Sequence, residues 1–268
     1  MKFLSRFYIF IIFAILYAPI LVVILFSFNA SGNLSNFSGF TLGWYAELFR
    51  DGQAIEALKN SIIIAVASSL FATIMGTFAA FSIAHSKNKY YQKIMKSVSN
   101  IPMMNPDIVT GISLMLLFVF AGVMLNKRDV LGFWTILIAH VTFQLPYVIL
   151  SVLPKLRQTD RNLAEAAQDL GCNSISVITK IVLPLSFPGI LTGITMTFVP
   201  AVSTFVISGL LGGSNCFLIG DLIQQQFLGN EYNLNYGAAT SLFLMAVVFI
   251  SMGIFNSFDN DEMEDSMV

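Results

Sequence analysis

Six predominantly apolar stretches, at about residues 7–28, 61–84, 97–125, 130–153, 185–211 and 236–255, constrain this chain more than any other feature. Each is long enough, at about 1.5 Å per residue, to cross the roughly 30 Å hydrocarbon core of a bilayer. A backbone inside lipid must bond its own N–H and C=O groups, so the stretches are expected to be helices. None shows the alternation of a membrane barrel strand. With 56% apolar and 11% charged residues and a mean hydropathy of +0.77, the 268-residue chain is too greasy to disperse in water. The expected fold class is an all-α integral membrane protein of six transmembrane helices, one domain over residues 1–268, with the lipid bilayer as a partner and no sign of nucleic-acid binding.

The connections give the orientation. With the N-terminus inside, Lys2, Arg6, Lys87, Lys89, Lys93, Lys96, Lys155, Arg157, Arg161 and Lys180 face the cytosol, ten against the four outside, Arg50, Lys59, Lys127 and Arg128. That bias follows the positive-inside rule and puts both termini in the cytoplasm. The first stretch is too long for the apolar core of a signal peptide, and no cleavage motif stands out, so it is read as a membrane helix. Cys172 and Cys216 fall on opposite sides in this topology, which excludes a bridge within the chain. The two His and two Cys are too scattered for metal-ligand spacing.

The longest polar interruption in the second half, residues 163–184, reads LAEAAQDLGCNSISVITKIVLP. Thr159 and Asp160 are candidate caps, Leu163, Ala167 and Leu170 recur at helical spacing, and Gly171 stands where a left-handed stop belongs. Asn173 or Ser174 is placed to cap a second helix carrying Ile175, Ile178 and Val182, which Pro184 is expected to end. Glu165 and Asp169, four apart, share an acidic face, while Ala164, Ala166 and Ala167 keep the flanks thin. Such a helix suits a groove on another protein, or equally a solvated connection.

Glu165-Ala166-Ala167, three residues, Gly171, nine residues, Ile181, one residue, Leu183-Pro184 resembles the full EAA signature of ABC importer permeases. The resemblance implies a type I importer fold, with residues 155–184 as a cytosolic coupling-helix loop between the fourth and fifth spans. Glu165, Ala166, Ala167, Asp169, Gly171, Ile181, Leu183 and Pro184 would then form the coupling to a separate ATPase. GFTLGWYAELF, MMNPDIV and AHVTFQLPYV resemble their counterparts in spermidine/putrescine (polyamine) permeases, which implies a place in the substrate path for Trp44, Asp107 and His140.

On the residues alone each of these three has a second reading. Trp44 is placed as interface aromatics usually are. Asp107 would lie about 15 Å along a helix begun at Ser97, where a carboxylate costs on the order of 3 kcal/mol and needs a partner or an aqueous cavity. Alternatively it caps a helix that starts there, after Asn105-Pro106. His140, near Thr142, Gln144 and Pro146, is a hydrogen-bonded core residue or a polar lining group.

The resemblance further implies a second homologous permease subunit in a heterodimer, two ATPase subunits, an extracytoplasmic polyamine-binding protein, and a bacterial inner membrane. No GxxxxGK[ST] loop occurs, so ATP and Mg would sit on the partner ATPase, leaving this chain without cofactor, metal or catalytic residues. In one departure from the pattern, Ser203 and Thr204 stand near the position where many smaller polyamine permease subunits carry acids, which leaves open which of the two subunits this is. The alternatives are an importer of another small substrate, an ion-gradient transporter, and an intramembrane hydrolase using a Ser with His140. The last lacks a G-x-S-x-G elbow.

The remaining expectations concern packing. Ala65, Ser68, Ser69, Ala72, Thr73 and Gly76 should place the second span at the centre of the bundle. Gly189 and Gly193 form a GxxxG pair suited to close crossing, including against a second subunit. Residues 42–58 read as an outer surface helix, residues 212–235 as a polar outer loop whose Asp221 and Glu231 attract cations weakly, and the acidic tail at 259–268 as disordered.

Overall fold

In a computed structural model of the chain, the described residues are 2–31, 37–104, 107–127, 129–158, 161–214, 216–229 and 233–265. Among them the regular structure is helical, apart from one isolated bridge between Asn29 and Phe40. In chain order the helices are α1 (Lys2–Ser27), α2 (Gly43–Leu48), α3 (Gly52–His85), α4 (Lys89–Met104), α5 (Asp107–Met124), α6 (Phe133–Gln158), α7 (Arg161–Asp169) and α8 (Ser174–Val177). A π-helical turn (Ile178–Val182) leads into α9 (Leu183–Val202), followed by α10 (Val206–Leu211), α11 (Ile219–Leu228) and α12 (Leu234–Asp265). Six of these are long and apolar enough to cross a membrane: α1, α3, α5, α6, α9 with the residues just before it, and α12.

The centre is made by α3, α6 and α9, as the small residues of the second span require. Ala65, Ser68, Ala72, Thr73 and Gly76 are buried along one side of α3. At Gly76 a Cβ would stand 2.7 Å from the Val148 side chain of α6, so the two backbones approach as only glycine permits. Gly193 sits likewise against Ser151, and Gly189 against Ser151 and Lys155. The GxxxG pair is thus consumed inside the chain, on α6, rather than kept for another subunit. By contrast α1 packs along α12 and buries none of its most apolar window, leaving that surface for lipid or a neighbouring protein.

Several boundaries differ from the sequence expectation, each for a local reason. The stretch 97–125 is two helices, an amphipathic α4 and a membrane-length α5. Their junction coincides with Asn105-Pro106, and the residue before a proline is disfavoured in helix; both residues lie outside the described ones, as do Arg128, Thr159, Asp160 and Glu231. The expected surface helix at 42–58 is divided at Asp51, whose side chain accepts the Gln53 N–H at 2.9 Å and caps α3. Pro184 does not end a helix. Leu183 N–H reaches back five residues to Ile178 O, and this wide turn relieves the clash that a proline ring meets in a regular helix. The chain therefore passes continuously from α8 into α9.

The expected fifth span stops early, at Val202, and resumes as α10. Into the break packs the start of α11, where a Cβ on Gly220 would lie 2.1 Å from Thr204 O. The loop expected at 212–235 thus contains a helix whose first turn is buried, and the acidic tail is helical through Asp265. A branched side chain at Gly76 should overpack the α3–α6 contact. Gly76→Val is expected to destabilise the purified protein by about 1–3 kcal/mol, seen as a lowered Tm. Gly253→Ala, inside α12 with nothing within 4 Å of the new Cβ, should not lower the Tm.

Candidate functional site

Three helices end or begin around one space. α4 closes with Pro102 and Met103, α5 opens with Asp107, and α9 gives way to Ser203, Thr204 and Phe205, while α6 runs past them all. The cavity between them is about 270 Å³, at the small end of the roughly 300–1,000 Å³ usual for small-molecule sites. Gln144, on its wall, is roughly 16 Å along the 26-residue α6 at 1.5 Å per residue, so the cavity lies near mid-span. Asp107 is the first residue of α5, is exposed, and is among the residues lining the cavity. No Lys or Arg lines this space among the described residues. The C-terminal end of α9 adds the partial negative charge of its outermost carbonyls.

Polar groups on α6 complete the lining. The His140 side chain is 3% exposed and its Nδ1 lies 2.9 Å from Ile136 O. A carbonyl can only accept, so Nδ1 carries the hydrogen, and Nε2 of the neutral ring is left as a bare acceptor. It finds no partner among the described residues. One turn on, Gln144 is 4% exposed; its Nε2 donates to Ser68 Oγ on α3 and Thr197 O on α9, both at 3.2 Å. Its Oε1 is likewise buried without a partner. Leaving a buried acceptor unmet costs about 1–3 kcal/mol, and here two stand four residues apart on one helix face. Neither ring nitrogen of His140 meets a serine among the described residues, and the cavity's Ser203 Oγ donates to Val199 O, so no Ser–His pair forms.

Trp44 is elsewhere. Its indole N–H donates to Asn29 O at 2.8 Å, an oxygen that also accepts from Asn235 Nδ2 at 3.1 Å. The ring fastens α2 to the end of α1 and the start of α12 and does not line the cavity. Asp107 and His140 are brought together; Trp44 is not. In the sequence Gln144 is only a polar neighbour of His140, and Ser203 and Thr204 stand out for the acids they replace, not for a break in the helix. The signal for Gln144 was its position four residues after His140 on an otherwise apolar helix.

The loop after α6 follows its sequence closely. α7 ends in a paired motif, Cys172 N–H to Ala167 O at 3.0 Å and Gly171 N–H to Gln168 O at 2.9 Å, with Gly171 at φ +87°. Asn173 then caps α8, its Oδ1 accepting the Ser176 N–H at 2.7 Å. Ala167 is buried in one cluster with Val152, Leu156, Val177 and Val182, and α7 packs on α8 and the π-helical turn. Leu170 and Ile175 are 86% and 72% exposed, an apolar pair on an otherwise polar surface. Ala166, Asp169, Leu183 and Pro184 are also exposed and Ile181 is half-buried; the Glu165 side chain lies outside the described residues. On the neighbouring α4, partial desolvation, and then the charge of Arg157, push Lys96 below the ordinary lysine range.

The family described as "Binding-protein-dependent transport system inner membrane component" matches residues 72–261. The chain is 35% identical over 211 residues to the "Spermidine/putrescine transport system permease protein PotC" of Haemophilus influenzae, covering 79% of each protein. It is 34% identical to the "Putrescine transport system permease protein PotI" of Escherichia coli, covering 75% of this chain and 72% of that one. Among solved structures, a chain of a bacterial alginate ABC transporter superposes with a TM-score of 0.79 at 18% identity, over 96% of this chain and 93% of that one, a likeness of fold.

Beyond the α9–α10 break, Asp221 of α11 is buried and accepts from Ser208 Oγ at 2.7 Å and Leu218 N–H at 2.9 Å. Burial pushes its carboxyl above the ordinary range, against the Leu218 and Ser208 bonds that hold it down. Burial, and then the Asp221 charge, push the Cys216 thiol up as well. Because the folded value for Asp221 exceeds the unfolded one, its contribution to stability is full below about pH 4 and is lost as pH rises through the folded value. Asp221→Asn, neutral throughout, should therefore gain stability relative to the parent between about pH 4 and pH 7, measured as the difference in Tm at each pH.

Proposed function

The chain belongs to the family of binding-protein-dependent transport system inner membrane components, and from that premise we propose that it is a permease subunit of an ATP-driven polyamine importer. The observation that carries the cargo assignment is the cavity at mid-span, lined by Asp107 and a helix C-terminus, with no basic side chain among the described residues. A lining of that character favours a cation, and polyamines are the cations named for the relatives that this chain matches over three quarters of its length or more. Asp107 and His140 stand in the path. Trp44 is an anchor that fixes the outer ends of α1, α2 and α12, and acts on the path only through them.

The rest of the machine follows from the loop. A second homologous permease faces this one across the path, two ATPase subunits bind ATP and Mg in the cytosol, and an extracytoplasmic binding protein delivers the polyamine. The chain lies in a bacterial inner membrane with both termini cytoplasmic, which places α7 on the ATPase side. The stretch from Glu165 to Pro184, with Ala166, Ala167, Asp169, Gly171, Ile181 and Leu183, forms the coupling surface, and the exposed Leu170 and Ile175 supply the apolar area that docking requires. Closure of the ATPases around ATP rocks this bundle against its partner and changes which side of the membrane the cavity opens to.

Two substitutions separate the halves of this reading. Asp107→Asn should cut ATP-driven polyamine uptake by the reconstituted transporter about tenfold or more, since hydrogen bonds to a charged group are worth about 1.5–3 kcal/mol. The ATPase should still co-purify. Gly171→Val forces a branched residue into the left-handed region at φ +87°, at a cost of about 1–3 kcal/mol, and should weaken co-purification of the ATPase. Unchanged uptake in the first variant would remove Asp107 from the path, and intact association in the second would remove the Gly171 turn from the coupling surface.

A further inference from the structure

We infer that the first two turns of α4 are a docking surface for the headgroups of anionic phospholipids in the membrane. In the orientation proposed above these belong to the cytosolic leaflet, and nothing in the inference depends on the cargo. Lys89 and Lys93 stand four residues apart on one stripe of α4, with Lys96 a turn further on, and the first two are exposed. Tyr90, Ile94 and Ile101 recur at helical spacing about 100° further round, with Val98 beside them, and all four are exposed. No residue of α4 is fully buried, and the helix rests on α6 and α3, with Met95 half-buried against them. One basic face and one apolar face are therefore left open.

The depth of the helix decides what meets them. Pro102 and Met103 of α4 line the cavity near mid-span, and Lys89 lies roughly 20 Å back along the axis at 1.5 Å per residue. Even at a tilt of about 40° that distance spans the roughly 15 Å half-thickness of the hydrocarbon core. Lys89 and Tyr90 thus stand at headgroup level, as interfacial lysines and tyrosines do, and the long Lys93 side chain reaches it from just below. Ile94, Val98 and Ile101 follow inside the acyl region.

Neither α4 nor the helices it rests on offer these lysines a carboxylate. No Asp or Glu occurs between Glu56, in the first turns of α3, and Asp107 at the cavity, and α6 has none. Instead α6 brings another exposed cation to this surface, Arg157, whose guanidinium donates to Gln92 Oε1 of α4 at 3.2 Å. Glu165 and Asp169 belong to α7, which packs on α8 and the π-helical turn. A free anion would balance the lysines and leave the apolar face bare. An anionic lipid satisfies both, its phosphate at the stripe and its chains along Ile94, Val98 and Ile101.

The test uses the purified full chain in mixed micelles holding equal amounts of phosphatidylglycerol and phosphatidylcholine, and reads the ratio of the two lipids retained by the protein. The parent should favour phosphatidylglycerol, and Lys89→Gln/Lys93→Gln should lower that preference about tenfold, since each lysine near an anionic surface contributes up to about fivefold. Lys89→Arg/Lys93→Arg, and Lys2→Gln/Arg6→Gln, which removes the same charge from another helix, should both stay within about twofold of the parent. Raising the salt from about 0.1 M to about 1 M shortens the screening length from about 10 Å to 3 Å and should abolish the preference. No preference in the parent, equal losses in the two Gln pairs, or a preference that survives high salt overturns the inference. So does a Lys89→Gln/Lys93→Gln chain that keeps its lipid ratio but no longer co-purifies with the ATPase, which would assign the stripe to a protein partner. Should that pair fail to purify folded, Lys89→Gln against Lys89→Arg is decided by the same ratio. The measurement needs neither ATP nor polyamine, so a chain that carries another cargo would give the same result.

Discussion

The amide of Gln144 is where three spans meet. It sits on α6 and donates to α3 through Ser68 and to α9 through the backbone of Thr197. In the interior of a membrane bundle there is little water to satisfy a side-chain amide, so a position of this kind is tolerable only when neighbouring helices come to it. They do so because Gly76 and Gly193 remove the side chains that would hold α3 and α9 away from α6. At 3.2 Å both bonds are already long, and an ångström more between the helices would lose them. Packing and chemistry are thus one arrangement. The same contacts that hold the nitrogen leave the oxygen buried without a partner among the described residues.

Features set by neighbouring residues in the chain could be read from the sequence. The glycine stop at Gly171, the cap at Asn173, the apolar spans and the central place of α3 each follow from a local pattern, and each is present. Features set by distant contacts could not. Nothing near Val202 announces that α9 stops there, because the break is occupied by Gly220 from a helix further along. Asp221 reads as an ordinary loop acid until Ser208 and Leu218 are seen to enclose it. Pro184 reads as a terminator because the five-residue reach of Leu183 N–H has no sequence signature. The candidate site was half visible: Asp107 and His140 attract notice as ionisable groups in apolar surroundings, but their meeting depends on α5 starting where it does. Trp44 was drawn to the path by resemblance; its indole bonds Asn29 O, away from the cavity that Asp107 and His140 line.

The loop between α6 and α9 has the form that a mechanical input would need. One side of α7 is sunk into the same buried cluster as the inner ends of α3 and α6, through Ala167, while Leu170 and Ile175 remain outside. A partner pressing on the exposed side would therefore push on an element already seated in the bundle. From there the chain runs without interruption through α8 and α9 to the break beside the cavity, so the proposed coupling has a continuous material route.

The wide turn at Ile178–Val182 lies on that route and has a geometric consequence. A turn closed by bonds five residues apart carries one residue beyond the ordinary winding, and each residue of a helix advances the azimuth by about 100°. The surplus residue works as a phase setting between the loop end and the membrane end of one continuous rod. Without it, the face of α8 that now carries Val177 inward would point roughly a quarter-turn away, and α7 would be swung off the socket that receives Ala167.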